Sequence, residues 1–200
     1  MKIASLEQLT NTPSWFSRKT PVICTQVIDE TPDVKTFQFQ ALDHQQFHFK
    51  PGQFIGMQIE INGELHNRSY TIASTPSRPH SLELTIKKED GGKVSPWLHQ
   101  NIVKGSQIEI RGPAGRFNCF DTSHDKVLLI SAGSGITPMM SMARFFTDTD
   151  SNKDVQFINW VKSVDDIIFR RELALMEHKN PQFKLEVFLY SSRTQPELVG

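Results

Sequence analysis

Cysteine is scarce in this chain of 200 residues, and neither sign of charge is in excess. The two cysteines, Cys24 and Cys119, lie far apart and show none of the close spacings that hold zinc, iron-sulfur clusters or redox-active disulfides. Both are expected to be buried free thiols. Lys plus Arg number 22, as do Asp plus Glu. No overall field therefore favours nucleic acid or an anionic membrane surface.

Long apolar runs are also missing. The longest uncharged stretch, residues 127–143, is interrupted by Gly133, Gly135 and Pro138, so it predicts a buried strand entering a turn and not a membrane span. The first ten residues, MKIASLEQLT, are polar where a secretory signal would be apolar, and the expected location is cytoplasmic. Residues 1–20 are expected to form a loosely held lead-in segment.

Residues 21–120 contain short runs in which apolar and polar residues alternate. Turn residues separate six such runs, which predicts a small six-stranded antiparallel barrel. The runs cover residues 22–28, 34–41, 53–61, 68–74, 82–88 and 106–112. One helix is expected inside this region at residues 95–102, with Ser95 as the N-cap before Pro96.

The periodicity changes after Asp125. Strand, helix, strand, helix and strand patterns follow one another at residues 126–133, 139–146, 155–161, 165–178 and 183–190. This order predicts a parallel α/β domain over residues 121–200, with the boundary near residues 118–125. Because a doubly wound half normally continues beyond a third strand, we expect the domain to be truncated at its C-terminus.

The first candidate site is the tetrapeptide Arg68, Ser69, Tyr70 and Thr71 at the end of a strand. Arg68 and Tyr70 share one face, so a cation and an aromatic plane address the same ligand while Thr71 offers a hydroxyl group. Such a layout suits a flavin nucleotide. An exposed arginine beside a strand tyrosine is the purely structural alternative.

The second candidate is the glycine pair Gly91-Gly92 that precedes the expected helix. Glycines let the backbone approach a phosphate, and the amides of the helix start supply donors, which suits a pyrophosphate. The alternative is a plain hairpin turn followed by a capped helix. The candidate binding residues here are Gly92, Lys93, Val94 and Ser95.

The third candidate is a glycine-containing junction between the apolar strand and the helix after it. At the carboxyl edge of a parallel sheet, glycines admit a dinucleotide and the helix dipole favours its phosphates. The full glycine fingerprint is not met, because Pro138 replaces the third glycine and the second strand ends in Lys162 and not in an acid. A tight structural turn is the alternative. The candidate residues are Gly133, Ser134, Gly135, Ile136, Thr137 and Pro138.

These motifs, taken in order, resemble the ferredoxin-NADP reductase-like flavoproteins over residues 21–200. The matching segments are FKPGQF (49–54), RSYT (68–71), GGKVS (91–95), GPAGRF (112–117), AGSGITPMMSM (132–142) and DDIIFRREL (165–173). Within that family the chain is most similar to the NADH oxidoreductases that serve the hybrid-cluster protein and to oxygenase reductase components. The resemblance implies an FAD-binding barrel over residues 21–120 and an NAD(P)-binding α/β domain over residues 121–200.

The resemblance also implies roles for single residues. Arg68 would pair with the FAD pyrophosphate, Tyr70 would stack on the isoalloxazine, and Thr71 would lie beside flavin N5 as the residue nearest the chemistry. Thr85, Ile86 and Lys87 would line the ribityl and adenosine side. Residues 92–95 would hold the pyrophosphate, and Thr137 would lie between the two nucleotide sites.

The implied activity is hydride transfer from NADH or NADPH to FAD, followed by single-electron transfer to an iron-sulfur or haem protein or domain. Any iron-sulfur cluster would lie outside this chain, since no cysteine cluster exists. The family's CGP-type motif is missing from these residues, so FAD binding with poor NAD(P)H binding is expected. The coenzyme choice is open, because Lys162, Arg170 and Arg171 could meet a 2′-phosphate or be solvated charges.

Two other functions compete with the reductase. One is a non-catalytic flavin-binding module that senses redox state, and the other is an interaction protein without a cofactor, which requires every motif to be accidental. The seven histidines show no ligand spacing and are expected to be surface or loop residues, with no metal site.

Overall fold

A computed structural model describes residues 19–120, 124–149, 151–191 and 194–199, with the backbone alone for the last of these ranges. Residues 19–120, here called the barrel unit, form six strands and one helix. Their bounds are β1 Thr20–Thr31, β2 Val34–Ala41, β3 Phe54–Ile61, β4 Glu64–Thr71, β5 Leu82–Lys87, α1 Val94–Asn101 and β6 Gln107–Ala114. The lead-in segment expected at residues 1–20 lies outside the described residues except for its last two positions.

The six strands form one antiparallel sheet with the order β4-β3-β6-β1-β2-β5. The sheet curls until its two edges approach each other, and a single bridge between Ile72 and Leu84 joins them. The prediction of six antiparallel strands is confirmed, and among the described residues the closure of the barrel consists of this bridge. Closing a sheet on itself protects edge backbone groups that would otherwise pair with other chains.

The interior of the barrel unit follows from the alternation read in the sequence. Phe37 and Phe39 of β2 and Ile55 and Met57 of β3 are buried at every second position, as a pleated strand with one covered face requires. All buried members of this core come from residues 22–110. Burial of several phenylalanines stabilises the unit by roughly 1.5–3 kcal/mol for each large apolar side chain.

Two local predictions for the barrel unit were wrong. Strand β4 begins at Glu64, before the expected start, because Asn62 and Gly63 both have positive φ and form a tight hairpin that pairs Ile61 with Glu64. Helix α1 begins at Val94, and Ser95 is not its N-cap. The Ser95 hydroxyl instead accepts a hydrogen bond from the Glu89 amide at 3.0 Å, which closes the loop that contains the glycine pair.

Residues 124–199, here called the second unit, contain a four-stranded sheet with the order β10-β9-β8-β7. Strands β7, β8 and β9 are parallel, as predicted, and β10 is an antiparallel addition that the sequence interpretation missed. Short 3-10 turns follow β7 and β8. The bounds are β7 Lys126–Ala132, the turn Gly133–Gly135, α2 Ile136–Asp148, β8 Asp154–Val161, the turn Val164–Asp166, α3 Arg170–Lys179, β9 Phe183–Ser191 and β10 Thr194–Val199.

Among the described residues, only one face of this second sheet is covered. Leu129 and Phe157 pack with Met140 of α2 and Leu173 of α3 in the second core. On the opposite face, Leu128 and Ile130 of β7 are exposed to 57% and 50%. The prediction of a buried strand here is therefore met on one face of β7 only, since no described helix covers its outer face.

The helix expected at residues 165–178 is interrupted. A 3-10 turn occupies Val164–Asp166, and α3 starts only at Arg170 because Phe169 has left-handed backbone angles, with φ 59°. A bulky residue rarely adopts that conformation without support from its surroundings. Support comes from Glu30 of β1, whose carboxylate accepts a hydrogen bond from the Phe169 amide at 3.3 Å.

Candidate functional site

A cavity of about 410 Å³, here called the barrel cleft, lies between the barrel unit and the start of α2. It is bounded by the end of β4, the end of β5, the first turn of α1 and the junction after β7. Its lining residues are Arg68, Ser69, Tyr70, Thr71, Thr85, Ile86, Lys87, Glu89, Gly92, Lys93, Val94, Ser95, Ser134 and Thr137. The structure thus brings the three candidate motifs to one place.

Strand β4 supplies a cation and an aromatic ring to one wall of the barrel cleft. Arg68 is exposed, and its Nη1 donates to the carbonyl of Asn67 at 2.8 Å. Tyr70 is half-buried against the barrel core, and burial raises the pKa of its hydroxyl against the opposing effect of the Arg68 charge. The phenol therefore stays neutral at physiological pH, and the wall offers a flat apolar surface next to a positive charge.

Strand β5 holds the opposite wall in place. The Thr85 hydroxyl lies 2.8 Å from the Thr36 hydroxyl, and both threonines are buried. The Lys87 ammonium lies 3.4 Å from the Asp33 carboxylate. Burial tends to raise the pKa of Asp33, but the Thr31 hydroxyl and the charge of Lys87 outweigh it, so the pKa is lowered.

The glycine-pair loop and the start of α1 suit an anion. Gly91 has a φ of +71°, which favours glycine, and a Cβ on Gly92 would lie 3.0 Å from the Glu89 carbonyl. Helix α1 has no side-chain cap and no acidic residue in its first turn. Its first amides are therefore available to an external acceptor, and its dipole favours negative charge.

A second cavity, of about 400 Å³, adjoins the barrel cleft, because Lys87 and Ser134 line both. It lies where the β1–β2 turn of the barrel unit meets the carboxyl ends of β7 and β8, the usual place for a ligand in a parallel sheet. Its lining residues are Thr31, Asp33, Val34, Lys87, Ala132, Gly133, Ser134, Trp160, Val161, Lys162, Asp166, Ile168 and Tyr190.

The predicted site residues divide clearly between these places. Those from β4, β5 and α1 all line the barrel cleft, together with Ser134 and Thr137, whereas Gly133 lines the second cavity. Gly135 and Pro138 line neither cavity, and Ile136 is fully buried in the second core. Of the cations considered for a 2′-phosphate, Lys162 lines the second cavity, but Arg170 and Arg171 line a separate polar cleft.

Sequence reasoning missed the acidic residues of the second cavity. Asp166 follows β8 by way of the 3-10 turn, and Asp33 reaches the cavity from the barrel unit. Their signal was weak, because an aspartate in a turn is common and only the fold brings these two together.

Several expectations about single residues were also tested. Cys24 is buried and Cys119 is half-buried, and neither is in a disulfide, as predicted except for the partial exposure of Cys119. His99 is not a surface or loop residue, because it lies half-buried in α1 with a ring nitrogen 2.8 Å from the Ile86 carbonyl. Within the described parts of the chain, no group of three potential metal ligands occurs. No helix there is long and apolar enough to cross a membrane.

Comparison with known proteins agrees with this arrangement. An oxidoreductase FAD-binding domain model matches residues 21–119, and an oxidoreductase NAD-binding domain model matches residues 129–199. A reductase subunit of glycine betaine monooxygenase from Chromohalobacter salexigens is 47% identical over 176 residues, which are 88% of this chain and 48% of that protein. The NADH oxidoreductase HCR of Escherichia coli K12 is 34% identical over 73% of this chain and 44% of its own length.

Solved structures share the fold. The flavohem-like FAD/NAD-binding domain of a nitric oxide dioxygenase from Vibrio cholerae superimposes with a TM-score of 0.79 at 22% identity, covering 89% of this chain and 77% of that one. The chain belongs to the ferredoxin-NADP reductase-like family of FAD- and NAD-binding oxidoreductases. It spans about half the length of the curated relatives named above.

Proposed function

We propose that this chain is an NAD(P)H-dependent, FAD-containing reductase segment that takes hydride from the nicotinamide and delivers electrons singly to an acceptor. The observation that carries the proposal is that the barrel cleft and the second cavity share a wall formed by Lys87 and Ser134. Two nucleotides held in these cavities would meet at that wall. Holding two reactants in contact is most of what hydride transfer asks of a protein.

The residues of the barrel cleft fit FAD. Arg68, Lys93 and the uncapped start of α1 supply positive potential and donors for a diphosphate. Tyr70 supplies the flat apolar face for the isoalloxazine, and Thr71 adjoins it with a hydroxyl that can hydrogen-bond near N5. Bound FAD would supply the conversion between two-electron and one-electron chemistry.

The second cavity would take the nicotinamide nucleotide. Its charged lining residues are Asp33 and Lys87, which pair with each other, together with Asp166 and Lys162. This balance offers no surplus cation for a 2′-phosphate, and Asp166 can accept hydrogen bonds from ribose hydroxyls. We therefore propose NADH as the coenzyme. The comparison of NADH with NADPH at equal concentration tests this choice.

The proposed acceptor is an iron-sulfur or haem protein or domain. Two named relatives are the reductase subunits of glycine betaine monooxygenase and, in Rhizobium meliloti, of stachydrine N-demethylase, which supports a partner subunit as the electron acceptor. Two cysteines without a disulfide are compatible with the reducing cytoplasm that we propose as the location.

The test uses the purified chain supplied with FAD. We expect a flavin spectrum that persists after gel filtration, bleaching of that spectrum by NADH without oxygen, and steady reduction of ferricyanide. If no flavin is retained, the site assignment is wrong. If FAD binds and the spectrum stays oxidised even at NADH concentrations high enough to saturate weak binding, a non-catalytic redox-sensing module replaces the reductase.

A further inference from the structure

One face of α2 lies against the chain segment that follows β4. Ser141, Arg144 and Asp148 recur at spacings of three and four residues, which places them on the same side of the helix. We call these three residues the docking face. The segment that they contact, residues 73–78, comes directly after the tetrapeptide of the barrel cleft, so the same stretch of chain serves the cleft and the helix.

Each residue of the docking face makes a polar contact with that segment. The Ser141 hydroxyl donates to the Ser74 carbonyl at 2.6 Å. Arg144 Nη1 donates to the Ala73 carbonyl at 2.8 Å. The Asp148 carboxylate accepts from the Arg78 guanidinium at 2.8 and 2.6 Å. The helix is thereby fixed at three points along its length.

Arg144 is the centre of these contacts. It is 6% exposed, and it forms a two-point pair with Glu172 of α3 at 2.8 and 2.7 Å. The same guanidinium donates to Glu83 of β5 at 2.7 Å and lies 4.9 Å from the centre of the Phe169 ring. Burial opposes its charge, but the hydrogen bonds with Glu172 and the charge of Glu83 outweigh burial and raise the pKa of Arg144. It stays charged at every accessible pH.

Arg144 and its hydrogen-bond partners connect elements that line the two cavities. Glu83 lies two residues before Thr85, which lines the barrel cleft, and α2 begins next to Ser134 of the shared wall. Arg144 lines neither cavity and instead borders the separate polar cleft that Glu83 also lines. A shift of α2 about this point would move the wall of the second cavity relative to the barrel cleft.

Apolar packing also joins the two units. Val34 and Ala73 of the barrel unit belong to the same buried cluster as Met140 and Phe145 of α2. Buried ion pairs contribute little net stability compared with apolar packing, but their directional bonds can specify one arrangement among several. The hydrogen bonds of the docking face are therefore suited to fixing the position of α2 relative to the barrel unit.

We propose that Arg144 is a positioning residue, which fixes α2 against the barrel unit so that the nicotinamide and flavin cavities keep the separation that hydride transfer requires. The inference rests on the proposed function. Arg144 lines neither of the two nucleotide cavities and would act through the position of α2. A misplacement of reacting groups by about 1 Å can lower a rate by about a hundredfold.

The test compares Arg144→Lys and Arg144→Met with Arg171→Met, which removes an exposed cation of α3 bordering the same polar cleft. Because Arg144→Met alone leaves two carboxylates without their cation, a triple variant with Glu83→Gln and Glu172→Gln accompanies it. Measurements are retained FAD, the limiting rate of flavin reduction, the half-saturating NADH concentration, and amide hydrogen exchange in residues 72–78.

We expect the triple variant to retain FAD and to change half-saturation by less than about threefold, while its limiting rate falls by about tenfold to a hundredfold. Arg144→Lys keeps the charge but loses the fork of donors, so it should recover part of the rate. Arg171→Met should match the wild type. Exchange in residues 72–78 should rise at least about tenfold in the triple variant, with β1 and β2 unchanged.

A folded triple variant with a wild-type limiting rate would overturn the proposal, as would a rate that falls only in proportion to lost FAD. Hydrogen exchange separates this inference from the proposed function. If the wild-type chain is not reduced by NADH, the proposed function fails and the effect of Arg144 on hydride transfer fails with it. If the wild-type chain is reduced, unchanged exchange in residues 72–78 of the triple variant rejects the role of Arg144 in fixing α2, whereas selectively faster exchange supports it.

Discussion

The two units of the chain complete their cores in different ways. Every buried residue of the barrel core comes from residues 22–110, so that unit closes on itself. The second core extends across the boundary and includes Val34 and Ala73 of the barrel unit. Its sheet also has an outer face on which Leu128 and Ile130 are exposed. The barrel unit thus has a core of its own, whereas the second unit needs residues of the barrel unit to complete its core.

The largest expected effect separates the stabilities of the two units. Phe157 of β8 is fully buried and its ring centre lies 6.0 Å from that of Phe183. Phe157→Ala should destabilise the second unit by about 3–5 kcal/mol through lost burial and a residual cavity. Urea unfolding followed by circular dichroism and by FAD release should then show the second unit melting first.

Leu175→Ala provides the control, because that side chain lies on α3 and is 49% exposed. Leu175→Ala should leave the unfolding transitions of both units at the urea concentrations found for the wild type. If Phe157→Ala released FAD at the same urea concentration at which its second unit unfolds, the barrel unit would not be stable without the second unit.

The next prediction tests whether the barrel unit supplies the affinity for FAD. Arg68→Ala should weaken FAD binding by about 1.5–3 kcal/mol, because a phosphate charge loses its charged partner. Titration of the variant with FAD measures the loss. Arg116→Ala, which removes an exposed arginine outside both cavities, should bind FAD as the wild type does. Equal affinity in both variants would contradict the assignment of Arg68.

A third prediction concerns the contact between the units. Gly52 has a φ of +103°, and a Cβ there would lie 2.6 Å from the Phe117 carbonyl and 2.7 Å from Met142 Cε of α2. Gly63 has a φ of +81° with open space around it. An alanine at position 63 would therefore suffer the backbone strain without a steric clash. Gly52→Ala should cost about 1–3 kcal/mol and Gly63→Ala clearly less.

Thermal unfolding of the two glycine variants measures this difference. Equal losses of stability in the two variants would mean that the loop at Gly52 moves to accommodate the added methyl group. Its contact with α2 would then not fix the two units relative to each other.

The smallest expected effect is on the pH dependence of stability. Burial raises the pKa of Glu30 above 4.5, although hydrogen bonds from Thr36 and the Phe169 amide and the charge of Arg144 oppose it. A raised pKa in the folded state means that Glu30 stabilises the fold at low pH and that this contribution is lost as the pH rises through the raised value.

Glu30→Gln removes that titration. The free energy of unfolding of the wild type, relative to that of Glu30→Gln, should therefore decline as the pH rises above 4.5 and should level off once the pH exceeds the raised pKa of Glu30. Parallel pH curves for the two proteins would show that Glu30 is not buried at the contact between the units.

Much of the barrel cleft could be predicted from the sequence, because its residues occupy short continuous motifs on β4, β5 and α1. The start of β4 was missed because the residues from Glu64 to Asn67 lack apolar alternation. The break at Phe169 was hidden because Glu30 and Arg144, distant in sequence, support its conformation. The second cavity resisted prediction for the same reason, since Asp33 and Asp166 converge only in the folded chain.

The pairing of Arg78 with Asp148 has an evolutionary consequence. The two residues lie in different units and their charges are joined by two hydrogen bonds, so a change in one removes the reason to keep the other. Substitutions at the two positions should be correlated among homologues. Chimeras that exchange second units between related reductases should tolerate the exchange best when both residues are inherited from the same parent.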